Sequence, residues 1–97
     1  MPRRNAKRPP ASNRRITLVS RTVLCALTGV SERQLTLWEQ EQLIAPARIE
    51  ELSGRREPLY DSSALRRVRL IRTLADELDV NLPGIEVILR LLDQLSG

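Results

Sequence analysis

Residues 29–48, GVSERQLTLWEQEQLIAPAR, decide the fold. Ser31 is followed three residues later by Gln34, the spacing of a capping box, in which each of the two side chains satisfies a backbone N–H that a helix start leaves free. Val30 before the cap and Leu35 at the fourth helical position add a hydrophobic staple across the same turn. A helix over residues 31–41 is predicted. Gly29 gives the backbone freedom for a sharp turn out of a preceding helix, residues 20–28, with Ser20 as its cap and Val23, Leu24 and Leu27 as the expected inward face. Two short helices meeting at a glycine turn form a helix-turn-helix.

On the second helix the three- and four-residue spacing places Leu35, Trp38 and Gln42 on one side, expected in the core, and Arg33, Thr36, Leu37 and Gln40 on the other, expected outside. In a helix-turn-helix the second helix enters the major groove of double-stranded DNA, and Arg and Gln can make paired hydrogen bonds to guanine and adenine edges. The outward four are therefore candidate DNA-contacting residues. A plain solvated helix face has the same pattern.

Working outward, residues 16–19, ITLV, form a β-prone piece that either pairs with a wing or simply extends. Beyond Pro46 the helical period is lost, and Ser53-Gly54 marks a turn between residues 48–52 and 57–60, read as a hairpin-like wing carrying Arg48, Arg55 and Arg56. Asp61 caps a third helix running to about Leu78, with Leu65, Val68, Ile71, Ala75 and Leu78 as its apolar stripe. Asp79, Val80 and Asn81 break the pattern. A fourth helix starts near Pro83, with Ile85, Ile88, Leu89, Leu92 and Leu95 at core spacing and Val87 and Leu91 widening that face. The fold class expected is mainly α: a winged helix-turn-helix of four helices with a small β wing.

The net charge of +4 over 97 residues hides an asymmetry. Residues 1–31 hold seven basic residues and no acid, whereas residues 32–97 hold nine arginines against twelve acids. The first fifteen residues, MPRRNAKRPPASNRR, are too poor in apolar groups to offset their ordering entropy by burial, so residues 1–15 are expected to be a disordered basic arm and residues 16–97 the folded domain. Such an arm, ending in Arg14 and Arg15 and continued by Arg21, gains affinity for phosphates by counterion release; it can equally be a solubilising tail. The acidic balance of the folded part weighs against DNA binding unless the arginines gather on one face. Arg55 and Arg56 before the third helix and Arg66, Arg67, Arg69 and Arg72 within it offer such a face, with Asp76, Glu77, Asp79 and Glu86 elsewhere.

Composition excludes much chemistry. There is no histidine, and the single cysteine, Cys25, falls in the first helix, where a small buried thiol is expected. A zinc site of the usual ligands cannot be assembled in one chain, no glycine-rich phosphate loop is present, and a nucleophile would lack its commonest base. No cofactor, metal or enzymatic activity is expected. Without a membrane-length apolar run or a signal segment, the chain is expected to be cytoplasmic and to have no membrane partner. With Trp38 and Tyr60 as its aromatics and no Phe, the core should be aliphatic around Trp38.

The residues themselves resemble the MerR family of transcription regulators. The matching pieces are TGVS at Thr28 to Ser31, the pair Trp38-Glu39, LIAPAR at Leu43 to Arg48, Tyr60 before the third helix, and VNLPGIEVIL at Val80 to Leu89, so that the likeness spans roughly residues 16–95. It implies a winged helix-turn-helix working as a homodimer on paired DNA half-sites. Three positions depart from the family's pattern: Thr36 and Pro58 stand where arginines are usual and Gln42 where a glycine is, so Arg33, Arg55 and Arg56 would take over the contacts. The sequence shows no long coiled-coil helix, which implies a regulator without an effector domain, pairing through a short helix or assembling on DNA. A second resemblance is to CbpM-type chaperone modulators, carried by Leu24-Cys25 ahead of TGVSERQL, PARIEE, Tyr60-Asp61 and LPGIEVILRLLDQL at Leu82 to Leu95. It implies a different partner, the J-domain of a DnaJ-like co-chaperone, met by Asp76, Glu77 and Asp79.

Overall fold

The computed structural model describes residues 17–96. The basic arm, with Arg14 and Arg15, lies outside them, as does Ile16. The order of elements is β1 (Val19–Ser20), α1 (Arg21–Thr28), α2 (Glu32–Gln40), β2 (Arg48–Leu52), β3 (Arg55–Tyr60), α3 (Ser62–Arg72) running into a π-helical turn (Thr73–Glu77), and α4 (Leu82–Ser96).

Short-range chemistry sets the helix starts. Ser20 accepts a hydrogen bond from the Val23 N–H, Ser31 and Gln34 form the capping box, and Asp61 accepts from the Ala64 N–H. Gly29 ends α1 in the left-handed region at φ 77°, its N–H donating to the Cys25 carbonyl at 2.8 Å. Val30 and Leu35 are both buried, as a staple requires. The wing is a hairpin in which Leu52 pairs with Arg55, so its loop is Ser53 and Gly54, at φ 52° and 76°. Positive φ at both central residues is what a two-residue hairpin turn demands. The β1 segment pairs Val19 with Tyr60 and Ser20 with Leu59, giving an antiparallel sheet ordered β1-β3-β2. Of the β-prone piece only Val19 joins this edge strand, while Thr17 and Leu18 lie outside it. Its pairing ends at Leu59, so Pro58 falls where β3 is itself an edge, a place that tolerates a missing N–H.

One core joins these elements: Leu24, Val30, Leu35, Trp38, Leu43, Ile44, Tyr60, Ala64, Val68, Ile71, Leu74, Ile85 and Leu89. Four expectations need correcting. In α1 the buried residues are Leu24 and Thr28, while Val23 and Leu27 are exposed, because an eight-residue helix turns only a narrow stripe inward. Gln42 does not continue the Leu35-Trp38 side: the helix stops at Gln40, Gln42 takes φ 64°, and Leu43 and Ile44 enter the core instead. After Arg72 the backbone widens, with the Leu78 N–H reaching back five residues to the Thr73 carbonyl, which buries Leu74 and leaves Leu78 exposed. In α4 Ile85 and Leu89 are buried and Ile88 half-buried, but Leu92 and Leu95 are exposed, Leu95 at 84 %, since the helix runs on past this small core.

Long polar side chains tie the layers together. The Arg67 Nε donates to the Leu43 carbonyl at 2.6 Å, and its two terminal nitrogens grip both oxygens of Asp93 at 3.0 and 3.3 Å, fastening α3 to α4 and to the segment after α2. The guanidinium beside it holds the Asp93 carboxyl below its ordinary pKa. Arg72 caps the Thr28 carbonyl at the end of α1 and pairs with Asp76 at 3.6 Å. Thr28, buried and polar, donates to the Leu24 carbonyl and accepts from the Val30 N–H, so it carries no unsatisfied group.

Candidate nucleic-acid interface

The centre of the candidate interface is a polar clamp between α1, α2 and the wing. Arg21 Nη1 donates to Glu39 Oε1 at 2.6 Å and to the Tyr60 hydroxyl at 3.1 Å; Tyr60 in turn donates to Glu39 Oε2. Arg21 Nη2 reaches the Thr36 hydroxyl and the Glu32 carbonyl, and its Nε pairs with the Glu32 carboxylate at 3.6 Å. Burial pushes the Tyr60 phenol up to about 12, reinforced by its hydrogen bond to the Glu39 carboxylate. For Arg21 burial acts downward, but the hydrogen bond and charge of Glu39 outweigh it and the pKa is raised. The phenol therefore stays neutral and the guanidinium charged over the whole physiological range.

This clamp fixes what α2 presents. Arg33, Leu37 and Gln40, at i, i+4 and i+7, are exposed on one side of the helix, away from Leu35 and Trp38. The side chains of Arg33 and Gln40 make no ion pair or hydrogen bond among the described residues. Thr36 is also exposed, but its hydroxyl is occupied by Arg21. Arg21 itself points inward, with its side chain only 22 % exposed. Of the residues marked in the sequence as DNA contacts, these two belong to the clamp rather than to the free face.

The remaining arginines divide. On the hairpin, residues alternate between the faces of the sheet. Register places Arg48 and Arg55 on one face with Glu50 and Glu57, and Arg56 on the other, opposite Glu51. Arg48 pairs with Glu50 at 2.7 Å and Arg55 with Glu57 at 3.9 Å, both in the open, where such pairs are readily exchanged for a phosphate. Arg55 and Arg56, expected to act together, thus project to opposite sides. On α3, Arg66 and Arg69 are exposed and unpaired among the described residues, whereas Arg67 and Arg72 are committed to the internal contacts above. The basic cluster read from the sequence is two free cations and two fasteners.

At the other end, Asp76 is held by Arg72, while Glu77 and Asp79 have no partner among the described residues and flank the exposed Leu78. Cys25 is half-buried rather than buried; burial, with the Glu32 charge, raises its thiol pKa and keeps it protonated. Among the described residues no group of His, Cys, Asp or Glu is arranged to hold a metal, and no helix is long and apolar enough to cross a membrane. Glu39 and Tyr60 are the residues of the site that sequence reading noted without assigning a task. Their signal was the Trp38-Glu39 pair and a tyrosine just ahead of a helix cap, and nothing local connected them.

A capped helix-turn-helix braced against a three-stranded wing, with an exposed Arg and Gln on its second helix, defines the winged helix-turn-helix class. The sequence profile of the MerR HTH family of regulatory proteins matches residues 20–92, and the chain belongs to that family, whose members are DNA-binding transcription regulators and typically not enzymes. No curated protein matches the chain.

Proposed function

We infer that this protein is a sequence-specific transcription regulator that reads double-stranded DNA with α2 in the major groove. The observation that carries this is the unoccupied face of α2: Arg33, Leu37 and Gln40 are exposed, aligned and free of internal partners on a helix held from behind by the clamp. Arg33 and Gln40 make the base-edge hydrogen bonds, and Leu37 supplies apolar contact. Arg48 and Arg55, which share one face of the wing, and Arg66 on α3 meet phosphates. The described residues hold ten arginines against twelve acids, so the sequence-independent attraction falls to the arm, including Arg14 and Arg15. The exposed row Val87, Leu91 and Leu95 on α4 supports pairing of two copies on the DNA.

The test is fluorescence anisotropy with the duplex upstream of its own gene and an unrelated duplex, across a range of salt, for the full chain and for a variant with Arg14→Gln and Arg15→Gln. The expected result is a preference for its own sequence that survives the arm substitutions, with both affinities reduced and the salt dependence flattened. Equal, weak binding to both duplexes would sink the reading.

A second reading, a modulator binding the J-domain of a DnaJ-like co-chaperone, is favoured by one feature: the unpaired Glu77 and Asp79 around exposed Leu78 present an acidic-apolar corner to a basic partner. Retention of a J-domain on the immobilised protein at low salt, lost in a Glu77→Gln, Asp79→Asn variant, would establish it. No retention at low salt would end it.

A further inference from the structure

Arg21, the first residue of α1, reaches both parts of the interface. Its guanidinium lies along α2 over Glu32, Thr36 and Glu39, which stand at i, i+4 and i+7 on one side of the helix, and Nη1 also meets Tyr60 at the end of β3. Resting on the DNA-binding reading above, we propose that Arg21 is a positioning residue for sequence recognition: it sets the rotation of α2 and its angle to the wing without touching DNA.

The geometry of the group fits this task. All three guanidinium nitrogens are engaged, Nη1 and Nε by carboxylates and Nη2 by the Thr36 hydroxyl and the Glu32 carbonyl, so a phosphate oxygen reaching Arg21 would first have to displace one of these partners. The network has little freedom to rearrange, because the Tyr60 phenol is neutral and spends its proton on Glu39, leaving its oxygen to accept from Arg21. A planar fork with five fixed donors can bridge a helix side and a strand end in this way, and an ammonium on a flexible stem cannot. Arg21 is also placed at the N-terminus of α1, where the helix dipole disfavours a cation. Its position is explained by the contacts to α2 and the wing, not by support of its own helix.

The experiment uses the full chain with Arg21→Lys and Arg21→Met and two readouts. Residual dipolar couplings of the free protein report the angle between α2 and the β2-β3 hairpin. Both variants are expected to shift or average that angle while couplings within each element stay as in the wild type; couplings that still fit the wild-type orientation in both variants overturn the proposal, whatever happens on DNA. In anisotropy titrations, both variants are expected to narrow the ratio of affinities for its own and an unrelated duplex by about tenfold, with unrelated-duplex binding and the salt slope unchanged. Equal loss on both duplexes in Arg21→Met, a salt slope smaller by about one, and rescue by Arg21→Lys would mark a direct phosphate contact and equally overturn it. A wild-type protein with no preference between duplexes would sink the DNA-binding reading alone, leaving the couplings to decide on the clamp.

Discussion

The Glu39 carboxylate accepts from two directions at once: Arg21 holds one oxygen at 2.6 Å and the Tyr60 hydroxyl holds the other. A residue of the second helix is thereby joined to the first helix and to the last residue of the wing. The buried ends of Trp38 and Tyr60 supply apolar packing on the same elements, but packing alone is non-directional. The charged hydrogen bonds give the arrangement its direction.

Tyr60 makes this network sensitive to alkali. Its pKa is about 10 in an unfolded chain and about 12 here, so the stability it contributes is fully present below pH 10 and is lost as the pH rises through 12. Urea denaturation of Tyr60→Phe should show a loss of about 1.5–3 kcal/mol at pH 7, for the missing hydrogen bond to a charged group. Between about pH 10 and 12 the wild type should lose up to roughly 1.4 kcal/mol per pH unit relative to the variant. Parallel pH profiles for the two proteins would refute a neutral, clamped phenol.

Asp61 produces the opposite dependence. Hydrogen bonds from Ser63, first, and from the Ala64 N–H hold its carboxyl below the ordinary value, so its contribution is present above the usual carboxylate range and is lost as the pH falls through the lowered pKa. Asp61→Ala should cost about 1 kcal/mol at pH 7 as a lost cap. Asp61→Asn, which keeps an acceptor, should cost little at pH 7 and flatten the decline below about pH 4. An acid limb unchanged in Asp61→Asn would place the acid sensitivity elsewhere.

The two helix ends both favour glycine, though only one of them has it. Gly29 sits at φ 77°, and a methyl group there would come within 2.6 Å of the Arg72 Nη1 that caps the Thr28 carbonyl. Gly29→Ala should cost about 1–2 kcal/mol from the left-handed backbone alone, with Arg72 displaced as well. Gln42 holds φ 64° on the surface with a full side chain, so Gln42→Gly should raise stability by about 0.5–1 kcal/mol. Thermal and urea unfolding of both variants check this, and a destabilised Gln42→Gly would contradict it.

What could be read from the sequence was what acts over short distances. The caps at Ser20, Ser31 and Asp61 each join a side chain to a backbone N–H three residues on, and the Ser53-Gly54 turn needs only its own two residues, so each was visible as local spelling. Periodicity located Leu35, Trp38, Val68, Ile71, Ile85 and Leu89 correctly, because it gives the direction of a helix face. It does not give how wide or long a face the rest of the protein covers, so periodicity alone puts Val23, Leu27 and Leu95 inside although all three are exposed. The π-helical turn at Thr73–Glu77 left no mark in the sequence, and it moved burial from Leu78 to Leu74.

The polar side chains were least legible. Arg21 finds its partners 18 and 39 residues away, and Arg67 finds Asp93 at a separation of 26. Only the folded geometry separates arginines that fasten the protein together from Arg33, Arg56, Arg66 and Arg69, which stay free among the described residues.

On the proposed function, the free face of α2 reads bases. The most direct measurement is the affinity of Arg33→Ala and Gln40→Ala, in the full chain at one fixed salt concentration, for the duplex upstream of its own gene and for an unrelated duplex. Each substitution removes a base-edge contact worth about 1–3 kcal/mol, so binding to its own sequence should weaken roughly ten- to hundredfold while the unrelated duplex is bound nearly as before. Equal affinities of wild type and both variants for its own sequence would contradict the account and turn attention to the corner at Glu77 and Asp79.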